Sequence, residues 1–195
     1  MDENIKEIEK YAKKEDVPIM QKRGINFLCN LIKKNNIKNI LEIGTAIGYS
    51  SIMMSLVDDD IRITTIERDE SRYLEAIKNI KKCNKEKQIT LILGDALETT
   101  IEGEYDLIFI DAAKGQYIKF FEKYSKNLSK NGIIVSDNMS FHGLVEETER
   151  IRNKNLRQLV NKIRKYIDYL KNNTEYKTKF YKTGDGIAVT VKRED

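Results

Sequence analysis

The sequence predicts a doubly wound α/β fold, in which a mostly parallel sheet of seven strands carries helices on both faces. Short β-branched apolar runs alternate with longer segments of helical period, which is typical of strand–helix–strand units. Most of these runs are apolar throughout, as expected for parallel strands buried on both faces. The last two runs flank a Thr-Gly-Asp-Gly turn at 183–186, which indicates an antiparallel hairpin at the end of the sheet.

The predicted elements follow in chain order. The five parallel strands are Asn39–Ile43, Arg62–Ile66, Ile89–Leu93, Leu107–Ile110 and Ile133–Ser136. The hairpin adds Tyr176–Tyr181 and Ile187–Lys192. The intervening segments carry the helices, the longest of which is expected from about Glu146 to Lys171 because its apolar residues recur at i, i+3, i+4 and i+7. These residues are Leu156, Leu159, Val160, Ile163, Tyr166, Ile167 and Leu170.

Length and composition predict one ordered domain over residues 1–195, since 195 residues leave little room for a second core. We divide it into an N-terminal helical cap at 1–36, which contributes to substrate binding, and a catalytic core at 37–195. Pro18 separates two helices within the cap. The chain has no apolar run of about 18 residues and its start lacks the apolar centre of a secretory signal. We therefore expect a cytoplasmic protein that does not bind membranes.

Cysteine spacing and charge exclude some classes of site. Cys29 and Cys83 have no paired spacing and no nearby His, so we expect buried thiols, not a disulfide or zinc site. Positive charge is concentrated late, with eleven Lys or Arg against three acids between Thr148 and Lys182. Part of it forms a basic ridge on the last helix, which is either a solvated face or a contact for a polyanion. The ridge consists of Lys154, Arg157, Arg164 and Lys171.

A glycine loop follows the first strand and opens a helix. Gly44 and Gly48 lie in this loop, where glycine permits a tight turn and close ligand approach and the helix amides offer donors to a carboxylate. The P-loop lysine and the dinucleotide G-x-G-x-x-G spacing are both absent, which disfavours phosphate binding. An ordinary strand-to-helix connection remains the alternative.

Two acidic residues at neighbouring strand ends favour a nucleoside ligand. Glu67 ends the second strand about 20 residues beyond the glycines, where a carboxylate can accept both ribose hydroxyls. Asp95 follows the third strand, at the carboxyl edge where ligands of open α/β sheets bind. We expect Asp95 to face an adenine amino group, although an Asp before a helix is also a common N-cap.

These loops resemble those of the class I, Rossmann-like methyltransferases, and specifically the catechol and caffeoyl-coenzyme A O-methyltransferase family. The resemblance covers about residues 38 to 192 and includes Asp111 with Lys114 and Tyr117 at fixed spacing after it. The other matching segments are Glu42-Ile43-Gly44-Thr45, Gly48-Tyr49-Ser50, Gly94-Asp95-Ala96, Val135-Ser136-Asp137-Asn138 and Gly184-Asp185-Gly186.

The resemblance implies an S-adenosylmethionine-dependent O-methyltransferase that also uses Mg²⁺ or another divalent cation. Asp111, Asp137 and Asn138 would be the metal ligands, because their oxygens suit a hard cation. Lys114 would be the general base or the electrostatic partner of the oxyanion, with Asp111 and Asn138 also catalytic; otherwise Lys114 is a solvated helix residue. The implied cofactor-binding residues are Met20, Glu42, Gly44, Thr45, Gly48, Ser50, Glu67, Asp95, Ala96, Asp111 and Tyr117. The only histidine, His142, is interpreted as a surface residue.

The acceptor is predicted from segments outside this framework. Residues 17–20 and 155–163 resemble the bacterial tRNA 5-hydroxyuridine methyltransferases. This implies methylation of the wobble base to 5-methoxyuridine, with the tRNA anticodon stem-loop as partner and its phosphates on the basic ridge. A small catechol or caffeoyl-type acceptor is the nearer alternative, and a non-catalytic RNA-binding module the more distant one. The family resemblance and the long amphipathic helix also imply a homodimer.

Overall fold

Six helices and seven strands alternate along residues 3–146 and 151–194, which are the residues that this computed structural model describes. The helices are α1 (Glu3–Lys14), α2 (Lys22–Lys34), α3 (Tyr49–Ser55), α4 (Glu70–Lys82), α5 (Tyr117–Tyr124) and α6 (Lys154–Lys171). The strands are β1 (Asn39–Ile43), β2 (Arg62–Glu67), β3 (Ile89–Leu93), β4 (Tyr105–Ile110), β5 (Leu128–Ser136), β6 (Tyr176–Tyr181) and β7 (Ile187–Lys192). The predicted fold class is confirmed.

The strands form a single sheet in the order β3-β2-β1-β4-β5-β7-β6. All neighbours are parallel except β7, which runs antiparallel to β5 and to β6. The chain winds outward from β1 to β3 and then crosses back to β4, so the strand order reverses between β1 and β4. That reversal opens a crevice at the carboxyl ends of the strands, where ligands of open α/β sheets bind.

Apolar layers cover both faces of the sheet, because successive side chains of each strand point to opposite faces. Ile40 of β1 joins the layer of α1, α2 and α3, whereas Leu41 and Ile43 join the layer of α5 and α6. On α6, the stripe predicted from its spacing is buried at Val160 and Ile163 and also at Tyr166 and Leu170. The stripe is thus buried within the chain, and the predicted homodimer stays a prediction.

The predicted start of α6 is wrong. Glu146 lies in a turn, residues 147–150 fall outside the described residues, and the helix begins at Lys154. The cause is local, because the Asn153 side chain accepts a hydrogen bond from the Leu156 N–H at 3.0 Å and so satisfies a free amide of the first turn. The spacing of apolar residues alone does not reveal such a cap, so it does not locate the first residue of the helix.

The N-terminal segment is helical as predicted, and residues 15–21, including Pro18, separate α1 from α2. Ile5 and Ile8 of α1 and Leu28 of α2 are buried in the same apolar layer as α3. The division of the chain at residue 36 stays a prediction. Among the described residues, none of the helices is long and apolar enough to cross a membrane. Cys29 and Cys83 are half-buried, and neither forms a disulfide within the described residues.

Candidate functional site

A cavity of about 500 Å³ lies at the carboxyl edge of the sheet, where the strand order reverses. The loops after the first five strands contribute to its wall, as do the segment between α1 and α2 and the β6–β7 turn. The carboxyl ends of parallel strands share one edge, so residues far apart in the sequence meet there. Eleven of the residues predicted for cofactor, metal or catalysis line the cavity: Met20, Gly44, Thr45, Ser50, Glu67, Asp95, Ala96, Asp111, Lys114, Asp137 and Asn138.

The glycine loop brings the ends of β1 and β4 into close contact. Gly44 has a φ of +98°, and a Cβ added there would lie 2.4 Å from the backbone oxygen of Asp111. Gly48 precedes α3 with a φ of +86° but does not line the cavity in the described residues. Both conformations favour glycine. The loop thus sets the distance between the cofactor side of the cavity and Asp111.

Glu42 is placed differently from its prediction as a cofactor-binding residue. Its side chain is fully buried and is not part of the cavity wall that the described residues form. It accepts hydrogen bonds from the hydroxyls of Ser50, Ser51 and Thr65. Burial raises the pKa of Glu42 to about 7, opposed by these hydroxyl donors. Glu42 therefore reaches the cavity through Ser50, which is part of the wall, and through Thr65, whose hydroxyl hydrogen-bonds Thr45 of the wall.

The second and third strand ends form a polar corner of the cavity. The Glu67 carboxylate accepts the Ala46 N–H at 2.7 Å and the Asp69 N–H at 2.8 Å, one on each oxygen. Each oxygen keeps a second lone pair for a ligand hydroxyl. Asp95 is exposed and caps its own turn by accepting the Leu97 N–H at 2.8 Å. Asp95 thus caps a turn at 96–98, where the alternative interpretation assumed a helix, and it also lines the cavity.

Helix α5 holds the loop that contains Asp95. The Tyr124 hydroxyl donates to the Ala96 carbonyl at 2.5 Å and to the Thr99 carbonyl at 3.2 Å. The Lys123 ammonium donates to the Ala96 carbonyl at 3.0 Å. These bonds satisfy carbonyls that the turn leaves free, and they fix the backbone on which the corner of the cavity is built.

The opposite end of the cavity is acidic. Asp111 follows β4, and Asp137 and Asn138 follow β5, as the strand pattern predicts. The Asn138 amide donates to Asp111 Oδ1 at 2.8 Å. Burial raises the pKa of Asp111, against the charge of Lys114. Burial also raises the pKa of Asp137, and the neighbouring Asp111 charge adds to this effect.

Tyr117 contacts this acidic end from within the core and does not line the cavity that the described residues form. It is buried, and its hydroxyl donates to the backbone carbonyl of Asp137 at 3.3 Å. Its pKa lies well above the usual range because of burial and the charges of Asp111 and Asp137. Its hydroxyl thus contacts the loop after β5, and its predicted contact with a cofactor stays a prediction.

Three residues in and near this end were missed or misjudged from the sequence. Asp185, in the β6–β7 turn, lines the cavity and is only 6% exposed. His142 also lines the cavity, although its side chain is 67% exposed as a surface residue would be. Phe141 completes this wall. The Gly-Asp-Gly motif was the only sequence signal for Asp185, and the sheet order, with β7 next to β5, was needed to place it here.

Lys114 stands at the start of a 3-10 turn, Lys114–Gln116, that leads into α5. Its Nζ lies 5.9 Å from the ring centroid of Phe141, which is within cation–π range. The lysine begins the turn into α5 and is also part of the cavity wall. Its position therefore fits both the catalytic residue and the helix-start residue that the sequence offered as alternatives.

Helix α6 borders the mouth of the cavity. Leu159 is part of the wall, and Lys162 packs on the 3-10 turn, since a Cβ added at Gly115 would lie 3.2 Å from Lys162 Nζ. Two members of the basic ridge, Lys154 and Arg157, are exposed one to two turns away. Positive charge therefore lies beside the acidic end as well as within it.

Comparison with known proteins agrees with this arrangement. The family described as O-methyltransferase matches residues 1–193. A Staphylococcus aureus structure, whose name gives caffeoyl-CoA O-methyltransferase as a provisional assignment, is 40% identical with a TM-score of 0.94 over 98% of this chain and 93% of that chain. The methyltransferase PaMTH1 of Podospora anserina, solved with SAH bound, is 25% identical with a TM-score of 0.89 over 100% of this chain and 89% of its own.

Curated relatives match over shorter stretches. The catechol O-methyltransferase of Niastella koreensis is 35% identical over 127 residues, which are 61% of this chain and 57% of that protein. Three plant relatives are matched over 63%, 56% and 64% of their lengths. The chain thus spans less than two thirds of the length of these relatives.

Proposed function

The chain belongs to the O-methyltransferase family, and we propose that it transfers the methyl group of S-adenosylmethionine to a hydroxyl oxygen, with a divalent cation bound beside the acceptor. One observation carries the proposal. A single cavity joins a polar corner suited to a nucleoside, built on Glu67 and Asp95, to an acidic end that contains a lysine, Lys114. A methyl donor at one end and a hydroxyl at the other would meet inside that cavity.

The cofactor's hydrophilic parts match the polar corner. Glu67 keeps a lone pair on each oxygen for the ribose hydroxyls, and Asp95 stands at the next strand end for the adenine amino group. Ser50 and the backbone at the start of α3 would hold the amino-acid end. The methyltransferase of Podospora anserina carries S-adenosylhomocysteine, the demethylated product of that cofactor.

The acidic end fits a divalent cation such as Mg²⁺. Asp137 Oδ1 is buried and has no hydrogen-bond partner among the described residues, which is costly unless a ligand or ion satisfies it. Asp111, Asp137 and Asn138 offer only oxygen atoms as ligands, and hard cations prefer oxygen. When bound, the cation would lower the pKa of an acceptor hydroxyl and help to hold it in place.

The chain's own residues would accept the proton of the acceptor hydroxyl and orient the acceptor. Lys114 would take the acceptor's proton or hold the resulting oxyanion by charge. When bound, S-adenosylmethionine would supply an electrophilic methyl group for the acceptor oxygen and would itself become a neutral thioether. The cavity wall would hold the methyl donor and the acceptor together and exclude water, and such positioning supplies much of the rate enhancement.

We propose an aromatic acceptor with two adjacent oxygens, of the catechol or caffeoyl type. Phe141 and Leu159 give the acceptor end of the cavity two apolar side chains, and an aromatic ring packs well against both kinds. The names of the relatives from Niastella koreensis and Staphylococcus aureus point to the same class of acceptor.

A second candidate acceptor is 5-hydroxyuridine in the anticodon loop of tRNA. The placement of α6 favours it, because Lys162 packs on the 3-10 turn that begins with Lys114. Lys154 and Arg157 continue the positive charge outward from the mouth of the cavity, where phosphates would bind with a strong dependence on salt. A hydroxyl next to a carbonyl would present two oxygens, as a catechol does.

The two acceptors are separated by offering both to one preparation with methyl-labelled S-adenosylmethionine. Labelling of catechol that disappears with chelator supports the first proposal, and labelling of hydroxyuridine-containing tRNA alone supports the second. Lys162→Gln should weaken tRNA labelling several-fold and leave catechol labelling unchanged. Lys87→Gln, an exposed lysine near the amino end of β3, is the matched control. If neither acceptor is labelled, both acceptor proposals are wrong.

The homodimer implied by the family resemblance also stays a proposal. Light scattering at micromolar concentration measures it directly, and a mass near the 22.7 kDa of one chain would contradict it.

A further inference from the structure

Asp185 is the one acidic residue of the cavity's acidic end to which the proposed function gives no role. Resting on that function, we infer that Asp185 is a positioning residue of the divalent-cation site, whose free carboxylate oxygen faces the cation from the β6–β7 turn. Asp111, Asp137 and Asn138 approach from the ends of β4 and β5, and Asp185 comes from the turn before β7, which is the neighbour of β5 in the sheet.

The backbone of the turn is built to hold Asp185 in this position. Gly186 has a φ of +82°, and a Cβ added to it would lie 2.6 Å from the Ser140 nitrogen. Gly184 has a φ of +56°, and a Cβ there would lie 3.0 Å from the Cα of Gly24. The turn is therefore wedged between α2 and the loop after β5, which leaves the side chain between the two glycines little freedom to move.

The two carboxylate oxygens of Asp185 have different environments. Oδ1 accepts the backbone N–H of His142 at 2.5 Å. Oδ2 is buried without a hydrogen-bond partner among the described residues, and His142 Nδ1 lies 3.6 Å from it. One oxygen thus fixes the carboxylate, and the other accepts no hydrogen bond within the described residues and has an ion-pair contact with His142 at most. A buried oxygen of this kind needs a partner.

Charge balance identifies the kind of partner. Asp111, Asp137 and Asp185 bring three negative charges to this end of the cavity, and Lys114 brings one positive charge. With the His142 imidazole counted as neutral, one divalent cation offsets the remaining two. The charge of Asp185 also acts on the other two carboxylates, since it contributes to the raised pKa of both Asp111 and Asp137.

Asp185 would act on the cation indirectly, through a water molecule. In the described part of the chain, no group of three or more His, Cys, Asp or Glu side chains lies close enough together to hold a metal ion directly. Two carboxylates and the Asn138 amide remain as the direct set, and Asp185 would accept a hydrogen bond from a water in the cation's coordination sphere. Partners of this kind commonly change metal affinity by about 10–100-fold.

A purely structural role is the competing explanation, because Asp185 also anchors the loop at His142. Asp185→Asn separates the two roles, since the amide oxygen can still accept the His142 N–H while the charge is lost. The matched control is Asp106→Asn. Asp106 Oδ2 accepts the backbone N–H groups of Lys38 and Asn39 at 3.0 and 2.9 Å, and Asp106 does not line the cavity in the described residues.

The test measures Mn²⁺ binding by electron paramagnetic resonance and Tm with and without chelator, on the full chain. We expect Asp185→Asn to weaken Mn²⁺ binding about tenfold, to lose most of the rise in Tm that Mn²⁺ gives, and to keep or raise Tm in chelator because a repulsive charge is removed. Asp106→Asn should bind Mn²⁺ as the unchanged protein does.

The possible failures are distinguishable. If the unchanged protein binds no Mn²⁺, the cation part of the proposed function is wrong and the role of Asp185 falls with it. If the protein binds Mn²⁺ and Asp185→Asn binds it equally well, only the inference about Asp185 is overturned. A large fall in Tm of Asp185→Asn in chelator, with Mn²⁺ affinity retained, would show that Asp185 is an anchor of the loop and nothing more.

Discussion

Replacing Gly44 by alanine should damage the protein at the point where β1 and β4 meet. The added Cβ would lie 2.4 Å from the Asp111 backbone oxygen and 2.9 Å from the Ala112 Cα. Both are backbone atoms, so no side-chain rotation relieves the contact. The two strand ends would have to separate, which moves Asp111 away from the cofactor side of the cavity.

The expected cost has two parts. A positive φ costs an alanine about 1–2 kcal/mol, and overpacking costs about 1–3 kcal/mol more. Gly44→Ala should therefore lower the free energy of unfolding by about 2–5 kcal/mol. Gly103→Ala is the matched control, because its φ is +91° but nothing lies within 4 Å of its added Cβ. It should show the first part alone, about 1–2 kcal/mol.

Urea unfolding measures both variants, and calorimetric titration with S-adenosylhomocysteine measures the cavity. Gly44→Ala should bind this ligand at least about tenfold more weakly, an effect of about 1.4 kcal/mol, whereas Gly103→Ala should bind it normally. Replacing glycine by alanine also lowers the conformational entropy of the unfolded chain. Because this happens in both variants, the effect cancels when they are compared. Equal stability and equal affinity of the two variants would refute the close-approach argument.

Three further predictions concern stability and cofactor binding. Burial raises the pKa of Glu42 from 4.5 to about 7, so the folded state binds this proton more tightly than the unfolded state does. The free energy of unfolding should therefore fall as pH rises from 4.5 to 7. Glu42→Gln should flatten this fall, measured by urea titrations at several pH values. Tyr124→Phe removes the hydrogen bond to the Ala96 carbonyl and should weaken calorimetric binding of S-adenosylhomocysteine several-fold, with unchanged affinity contradicting the role given to α5. Asn153→Ala removes the cap of α6 and should cost about 1 kcal/mol of unfolding free energy, whereas Asn155→Ala, exposed in the same helix, should cost less.

Parallel strands made much of the site predictable from the sequence. Glu67, Asp95 and Asp111 each follow a predicted strand, and the carboxyl ends of parallel strands share an edge. The structure places all three on one cavity. The order of the strands in the sheet did not need to be known, because the carboxyl ends of all parallel strands lie at the same edge.

Residues whose position depends on the detailed register or on the sheet order were not predictable. Glu42 precedes the glycine loop, but its side chain points to the α3 face, where hydroxyls surround it. Asp185 belongs to a hairpin turn, and only the pairing of β7 with β5 brings that turn to the cavity. His142 has no local motif, and it reaches the cavity because its backbone N–H bonds to Asp185.

The most direct test of the account is the rate at which the protein forms S-adenosylhomocysteine from S-adenosylmethionine and catechol, measured with Mg²⁺ and then with excess chelator. We expect turnover with Mg²⁺ that chelator abolishes and that Asp137→Asn reduces at least about 100-fold, because a group that stabilises the transition state is lost. Turnover that is unchanged by chelator and by Asp137→Asn would contradict it.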